Sequence, residues 1–251
     1  MSDTRVTPRS WLWKPRTKPI RLLEIHATRG DTTPEKQKPA SLNWVQSPNN
    51  YGALDGAGNP AWGGSFSHVI GTDGSKGMVL DDDQMPTYSA GYGGAGSTYA
   101  IDEYAISYEL AQSPAQEPFS DAIYDRLSTE VALDCKLYGI PLVMISIPRQ
   151  TGEVPTGIVR HDRCENGTKL GKTDPGDQFD EARFIGMVVA KMEDGMDEAA
   201  VRKMIEDAIR VHERIPHIAA LDKINAHIEG HPSGGTFEHD HSLPEKTGSV
   251  N

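Results

Sequence analysis

The chain has 251 residues, 24% of them charged and 37% hydrophobic, and a formal net charge of −11 at pH 7. That length can bury a full core, while the acidic balance leaves no basic field for nucleic acid and argues against anionic membranes. No apolar run approaches the ~20 residues of a membrane span, residues 1–23 lack the continuous apolar core of a secretory signal, and the 2 cysteines, Cys135 and Cys164, are too few for a disulfide scaffold.

In chain order, residues 1–19 are polar and read as an arm lying on a domain, with Trp11 and Trp13 as its apolar contacts. Arg21–His26 and Tyr104–Leu110 alternate as half-buried strands do, and Ser67–Gly71 with Gly77–Leu80 predicts a hairpin around Asp73-Gly74. Ser120 is placed to cap a helix running to Tyr138, because Ile123, Leu127, Val131 and Cys135 recur at every fourth position and Gly139-Ile140-Pro141 stops it. Strands separated by helices, with a hairpin among them, predict an α/β domain built on a mixed sheet flanked by helices, here over residues 20–186. Residues 187–230 read as a helical extension, with an amphipathic helix over 197–214 whose stripe of Val201, Met204, Ile205, Ala208 and Ile209 either packs on the chain's own domain or pairs with a second copy of the chain or a wall component. Residues 231–251 read as a flexible tail rich in Gly and His.

Strand alternation places Glu24, His26 and Thr28 on one face and Leu23, Ile25 and Ala27 on the other, and it sets Glu109 opposite Tyr108 and Leu110. His26 and Glu109 then share a polar face if their strands share a sheet. The segment Gly157–Gly176 adds His161, Lys172 and Asp174 within fourteen residues, with Pro175-Gly176 turning the chain behind the aspartate. Two imidazoles and one carboxylate, from His26, His161 and Asp174, leave a fourth position open on zinc, the pattern of a catalytic site. Zinc brings the pKa of its water to roughly 7. Glu109 is placed to take a proton as general base, and Lys172 to stabilise an oxyanion. One alternative is a closed, structural site that adds Cys164; another gives His68 a ligand's or a cleft-lining part.

The residues also resemble a known family. EIHAT (Glu24–Thr28), SHVIGTDG (Ser67–Gly74), YSAGYG (Tyr88–Gly93), AISYEL (Ala105–Leu110), YGIP (Tyr138–Pro141), VRHD (Val159–Asp162) and GKTDPG (Gly171–Gly176) follow the order found in type-2 N-acetylmuramoyl-L-alanine amidases. That family includes phage endolysins, recycling amidases and peptidoglycan recognition proteins. The resemblance covers roughly residues 20–185 and implies a zinc enzyme that cuts the amide between N-acetylmuramic acid and L-alanine. It implies His26, His161 and Asp174 as ligands, Lys172 as the catalytic lysine and Glu109 as the acid/base. Some members use a tyrosine just before the histidine of the SHVI strand; Ser67 stands there, which favours Glu109. VRHD departs from the commoner GHxD, and Gly30–Gly64 reads as an extended loop whose Trp44 and Trp62 are candidates for stacking on sugar. The resemblance further implies a phage or prophage endolysin, made in the host cytoplasm and acting on the wall after release. A muropeptide-recycling enzyme and a non-catalytic binding module are the alternatives, the last disfavoured by the presence of Asp174 and Lys172.

Overall fold

The structure, a computed structural model, describes residues 3–9, 12, 15–30, 32–50, 53–54, 60–62, 64–79, 101–146 and 154–193. All of them belong to one compact unit, Met1–Val211. The expected helix 197–214, the tail 231–251, Trp11, Trp13 and the YSAGYG segment lie outside the described residues.

The alternating stretch after Arg21 becomes β2 (Leu22–Ala27), buried along its whole length. It lies between two parallel neighbours, β7 (Ala105–Leu110) and β9 (Gly157–Arg160), in registers Leu22 to Ala105 and Leu22 to Gly157. The hairpin forms as β5 (His68–Ile70) and β6 (Lys76–Met78), and β5 joins β7 in parallel. With β1 (Thr4–Arg5) beside β6 and β8 (Met144–Ile145) beside β9, the order is β1-β6-β5-β7-β2-β9-β8, a mixed seven-stranded sheet. Parallel strands buried on both faces need helices on both sides.

One face carries Leu23, Ile25, Ile106, Tyr108, Leu110 and Ile158, which pack on α2 (Asp121–Tyr138) and α4 (Glu181–Glu193). α2 presents Ile123, Leu127, Val131 and Cys135 to that face, all buried. It begins as the sequence predicts: the Ser120 hydroxyl accepts a hydrogen bond from the Ile123 N–H at 3.2 Å. It ends at Gly139, whose φ of 66° is the left-handed conformation that closes helices without the cost a side chain would add.

Three expectations change. The loop drawn over Gly30–Gly64 contains a helix, α1 (Pro34–Gln46), and a two-stranded ribbon of β3 (Ala53–Leu54) and β4 (Pro60–Trp62). The α1 sequence hid this because only Gln37, Leu42 and Val45 are buried and Pro39 interrupts the pattern. Residues 1–19 are more than an arm: Thr4–Arg5 extends the sheet edge, and Leu12 is fully buried. The boundary at 186/187 falls inside α4, where Phe184 and Val188, one turn apart, enter the same core.

Ser120 also donates to the Thr72 carbonyl at 2.7 Å, tying the α2 cap to the hairpin turn. Ser120→Ala removes both bonds, and a denaturant midpoint should show a loss of about 1 kcal/mol or more.

Candidate active site

The face of the sheet away from α2 is built in rows. Leu22, Ala105 and Val159 form an apolar floor with Ile101 and Cys164. One step on, Glu24 lies in register with Ser107 and Val159. At the last row, where β2 and β7 end, His26 is in register with Glu109. Beyond β9 the chain tightens into a 3-10 turn, His161–Arg163, which sets His161 beside this row. The His26 and His161 rings lie 4.3 Å apart between centroids. Chemistry thus collects at the carboxyl ends of parallel strands, where an α/β sheet opens its ligand crevice.

The turn has firm support. Arg160 donates to Asp162 Oδ1 at 2.9 Å and to Glu181 Oε1 at 2.7 Å, and Arg163 reaches Glu181 Oε2 at 3.1 Å. Beneath the turn, the Cys164 thiol donates to the His161 carbonyl at 3.1 Å and accepts from the Gly167 N–H at 3.2 Å. Cys164 thus holds the turn from below. Among the described residues, the His, Cys and acidic side chains that gather as a metal group are His26, His161 and Asp174, so the closed site with Cys164 does not form.

Asp174 arrives on the loop after α3 (Glu165–Lys169). Its carboxylate lies 2.9 Å (Oδ2) from His161 Nδ1 and 3.5 Å from His26 Nδ1, and it accepts from the Ala27 N–H at 3.3 Å. Arg29, three residues past His26, clamps this loop. Its guanidinium donates to Thr173 Oγ1 at 2.6 Å, the Thr173 carbonyl at 3.1 Å, the Pro175 carbonyl at 3.0 Å and Gln112 Oε1 at 3.0 Å. Gly176 permits this approach, since a Cβ there would sit 2.6 Å from Arg29 Nη2. Lys172 is exposed, two residues from Asp174, and its charge acts on Glu109.

Burial and charge oppose one another here. Burial raises the Glu109 carboxyl, and although His26 pulls it down, Asp174 and Glu24 push it further, to about 7. Residue Glu109 is half-buried as a whole, yet its Oε2 is shut off from solvent without a hydrogen-bond partner. Burial also resists the charging of His26, but Glu24 and Asp174 outweigh it and hold the imidazole well above its usual range. Asp174 is opposed by burial and held far below the carboxylate range by hydrogen bonds from His161 and His26.

No protein-family model matches the sequence, and no curated protein is significantly similar to it. Among solved structures, a selenomethionine AmpD derivative is 21% identical with a TM-score of 0.50, over 74% of this chain and 94% of that one. The chain has the type-2 amidase fold. The Staphylococcus aureus hydrolase AmiA, solved with its ligand, is 11% identical with a TM-score of 0.49, over 76% of this chain and 83% of that one. The N-acetylmuramoyl-L-alanine amidase LysC from Clostridium intestinale URNW is 12% identical with a TM-score of 0.43, over 75% and 98%.

Within this amidase fold the donor set suits zinc. The ligand atoms of His26, His161 and Asp174 lie within 4.8 Å of one another. Two nitrogens and one carboxylate oxygen form a donor set with an open position. Glu24, Asp174 and Glu109 all act on His26 and raise its pKa, so the cluster favours positive charge at its centre. A divalent cation would supply it.

The structure brings together His26, His161, Asp174, Glu109 and Lys172, and leaves His68 out. His68 registers with Tyr108 on the α2 face, is 2% exposed and packs on the Tyr108 ring at 5.0 Å, so it cannot line this cleft. Ser67 is fully buried, its N–H bonded to Ser107 Oγ at 2.9 Å. Trp44 stands 50% exposed on α1, and the Trp62 side chain lies outside the described part. Sequence reasoning missed Arg29 and Glu24; alternation had put Glu24 on the face of His26, the one signal that pointed to it.

Two predictions follow from the charges and the clamp. In the metal-free protein, native Glu109 keeps its proton to about pH 7 and the unfolded chain releases it near 4.5. Between those values the unfolded state binds fewer protons, so wild-type stability falls as pH rises, by on the order of 1 kcal/mol per pH unit. Glu109→Gln, which cannot ionise, should lack that contribution, and unfolding of both proteins at pH 5 and pH 6, below the range where His26 also contributes, checks it. Arg29→Met should speed amide exchange at Thr173–Gly176 by about tenfold or more while α2 stays protected, and Arg29→Lys should not restore it, because an ammonium has no fork.

Proposed function

We propose that the protein hydrolyses the amide between N-acetylmuramic acid and L-alanine in peptidoglycan, with zinc held by His26, His161 and Asp174. The observation that carries this reading is the last row of the sheet. There a two-histidine, one-aspartate donor set stands beside a half-buried glutamate of elevated pKa, on which the charge of an exposed lysine, Lys172, acts. The fold and the motif order agree with it. Zinc at this set supplies a Lewis acid for the scissile carbonyl and acidifies water.

The chain's own groups divide the remaining work. Glu109, with a pKa near 7, exchanges a proton readily at neutral pH. Its carboxylate takes the proton of the attacking water as the C–O bond forms. The resulting carboxylic acid returns that proton to the amide nitrogen as the C–N bond breaks, and the second water proton passes from the new lactyl carboxyl to the amine, leaving a lactyl carboxylate and the ammonium of a free L-alanine terminus. Lys172, on the loop that Arg29 clamps, places its ammonium at the mouth to stabilise charge developing on the carbonyl oxygen. Trp44, exposed on α1, is the described aromatic offered for contact with sugar. Release onto the wall as a phage or prophage endolysin is the biological setting favoured by the sequence resemblance; no helix among the described residues is long and apolar enough to cross a membrane.

Incubation with purified peptidoglycan should liberate stem peptides with a free L-alanine terminus, read by mass spectrometry. Chelation should abolish the activity and zinc restore it; full activity in metal-free protein would sink the reading. Glu109→Ala and Lys172→Ala should each slow turnover by about 10²-fold or more with zinc content retained. Cys164→Ser should leave zinc content intact.

A further inference from the structure

Glu24 is a fully buried carboxylate in the middle of the central strand, flanked by Leu23 and Ile25. Its row neighbours are Ser107 and Val159. A carboxylate in such a place is costly unless a specific group uses it. Glu24 Oε2 lies 3.1 Å from His26 Nε2, a close approach made off the axis of the ring N–H, while the other ring nitrogen, Nδ1, faces Asp174 Oδ2 at 3.5 Å. His161 turns the same atom, Nδ1, toward Asp174 at 2.9 Å. The two imidazoles thus present equivalent nitrogens to one point, and Glu24 takes the far side of His26.

We propose that Glu24 is the positioning residue of the metal centre: it accepts the Nε2–H of His26, fixes the tautomer whose Nδ1 lone pair points at the metal position, and makes that nitrogen a stronger donor. A histidine ligand commonly hands its second N–H to a carboxylate or carbonyl, and removing such a partner costs about 10- to 100-fold in metal affinity. The spacing explains why the sequence can do this. Residues two apart on a strand share a face, and Glu24 and His26 stack along it with the carboxylate one row deeper, away from substrate. Glu24 therefore acts on His26 and does not touch the reacting atoms. The inference rests on the proposed zinc site, and its test separates the two.

Metal-free wild-type protein, Glu24→Gln and Glu24→Asp are titrated with zinc against a chromogenic chelator at pH 7, without substrate. Glu24→Gln should bind zinc about 10- to 100-fold more weakly, and Glu24→Asp, which keeps the charge one methylene further back, should recover part of the loss. The zinc-loaded wild-type protein should show a downfield, slowly exchanging His26 Nε2–H proton by NMR that shifts upfield in Glu24→Gln. A purely structural carboxylate would lower the melting temperature of the metal-free variant and leave zinc affinity and the Nε2–H resonance unmoved, which overturns the proposal. If Glu24→Gln fails to fold, Glu24→Asp decides it: wild-type affinity with an unchanged Nε2–H signal overturns the proposal. Failure of the wild-type protein to bind zinc overturns the metal site and this inference with it, whereas tight wild-type binding equalled by Glu24→Gln overturns this inference alone.

Discussion

Three carboxylates and two imidazoles converge at the carboxyl end of the central strands, and their unbalanced negative charge is the constraint around which this end of the molecule is arranged. Glu24, Glu109 and Asp174 cannot all sit comfortably ionised in so small a buried volume. The conflict is divided between groups: Asp174 stays charged through hydrogen bonds to both histidines, His26 is drawn toward its cationic form, and Glu109 is pushed toward neutrality. Environments that drive neighbouring acids apart in pKa give them separate chemical roles. That separation is what would let the proposed site use one carboxylate as a ligand and another as a proton carrier.

The sheet makes that convergence possible by treating its two faces differently. On one, Leu23, Ile25, Ile106, Tyr108 and Leu110 sink into the core under α2 and α4. On the other, β2 and β7 are apolar in the first row, at Leu22 and Ala105, and turn polar after it, with Glu24 beside Ser107 and then His26 beside Glu109. Parallel register is what turns two separate sequence motifs into one row, because His26 and Glu109 occupy matching positions on β2 and β7. A shift of one residue between these strands would send Glu109 into the core and Tyr108 into the cleft.

Rigidity comes from arginines around the site. Arg160 and Arg163 share Glu181 and so fasten the His161 turn to the start of α4, while Arg29 fastens the Lys172–Gly176 loop to the ends of β2 and β7. Loops carry Asp174 and Lys172, and loops are ordinarily the least exact part of a fold. Bidentate and forked contacts limit that freedom.

The sequence by itself determined whatever depends on short-range periodicity and on one residue's chemistry. The alternation in Leu22–Ala27 and Ala105–Leu110, the capped helix Asp121–Tyr138 and the hairpin were all readable, because each signal lies within one element. So was the candidacy of His26, His161, Asp174, Glu109 and Lys172, whose types and order suit one chemistry. Helix α1 was not, since its few buried residues follow no clear stripe and a proline sits inside it. His68 shows the other limit: its type suggested a site, and only the pairing of β5 with β7 decided that it faces the core. The tertiary structure alone decided which histidine meets which carboxylate, that Cys164 turns beneath His161, and that Arg29 reaches two separate segments, each more than eighty positions further along the chain. Those are contacts between distant segments, fixed by strand register and loop closure, and no local pattern encodes them.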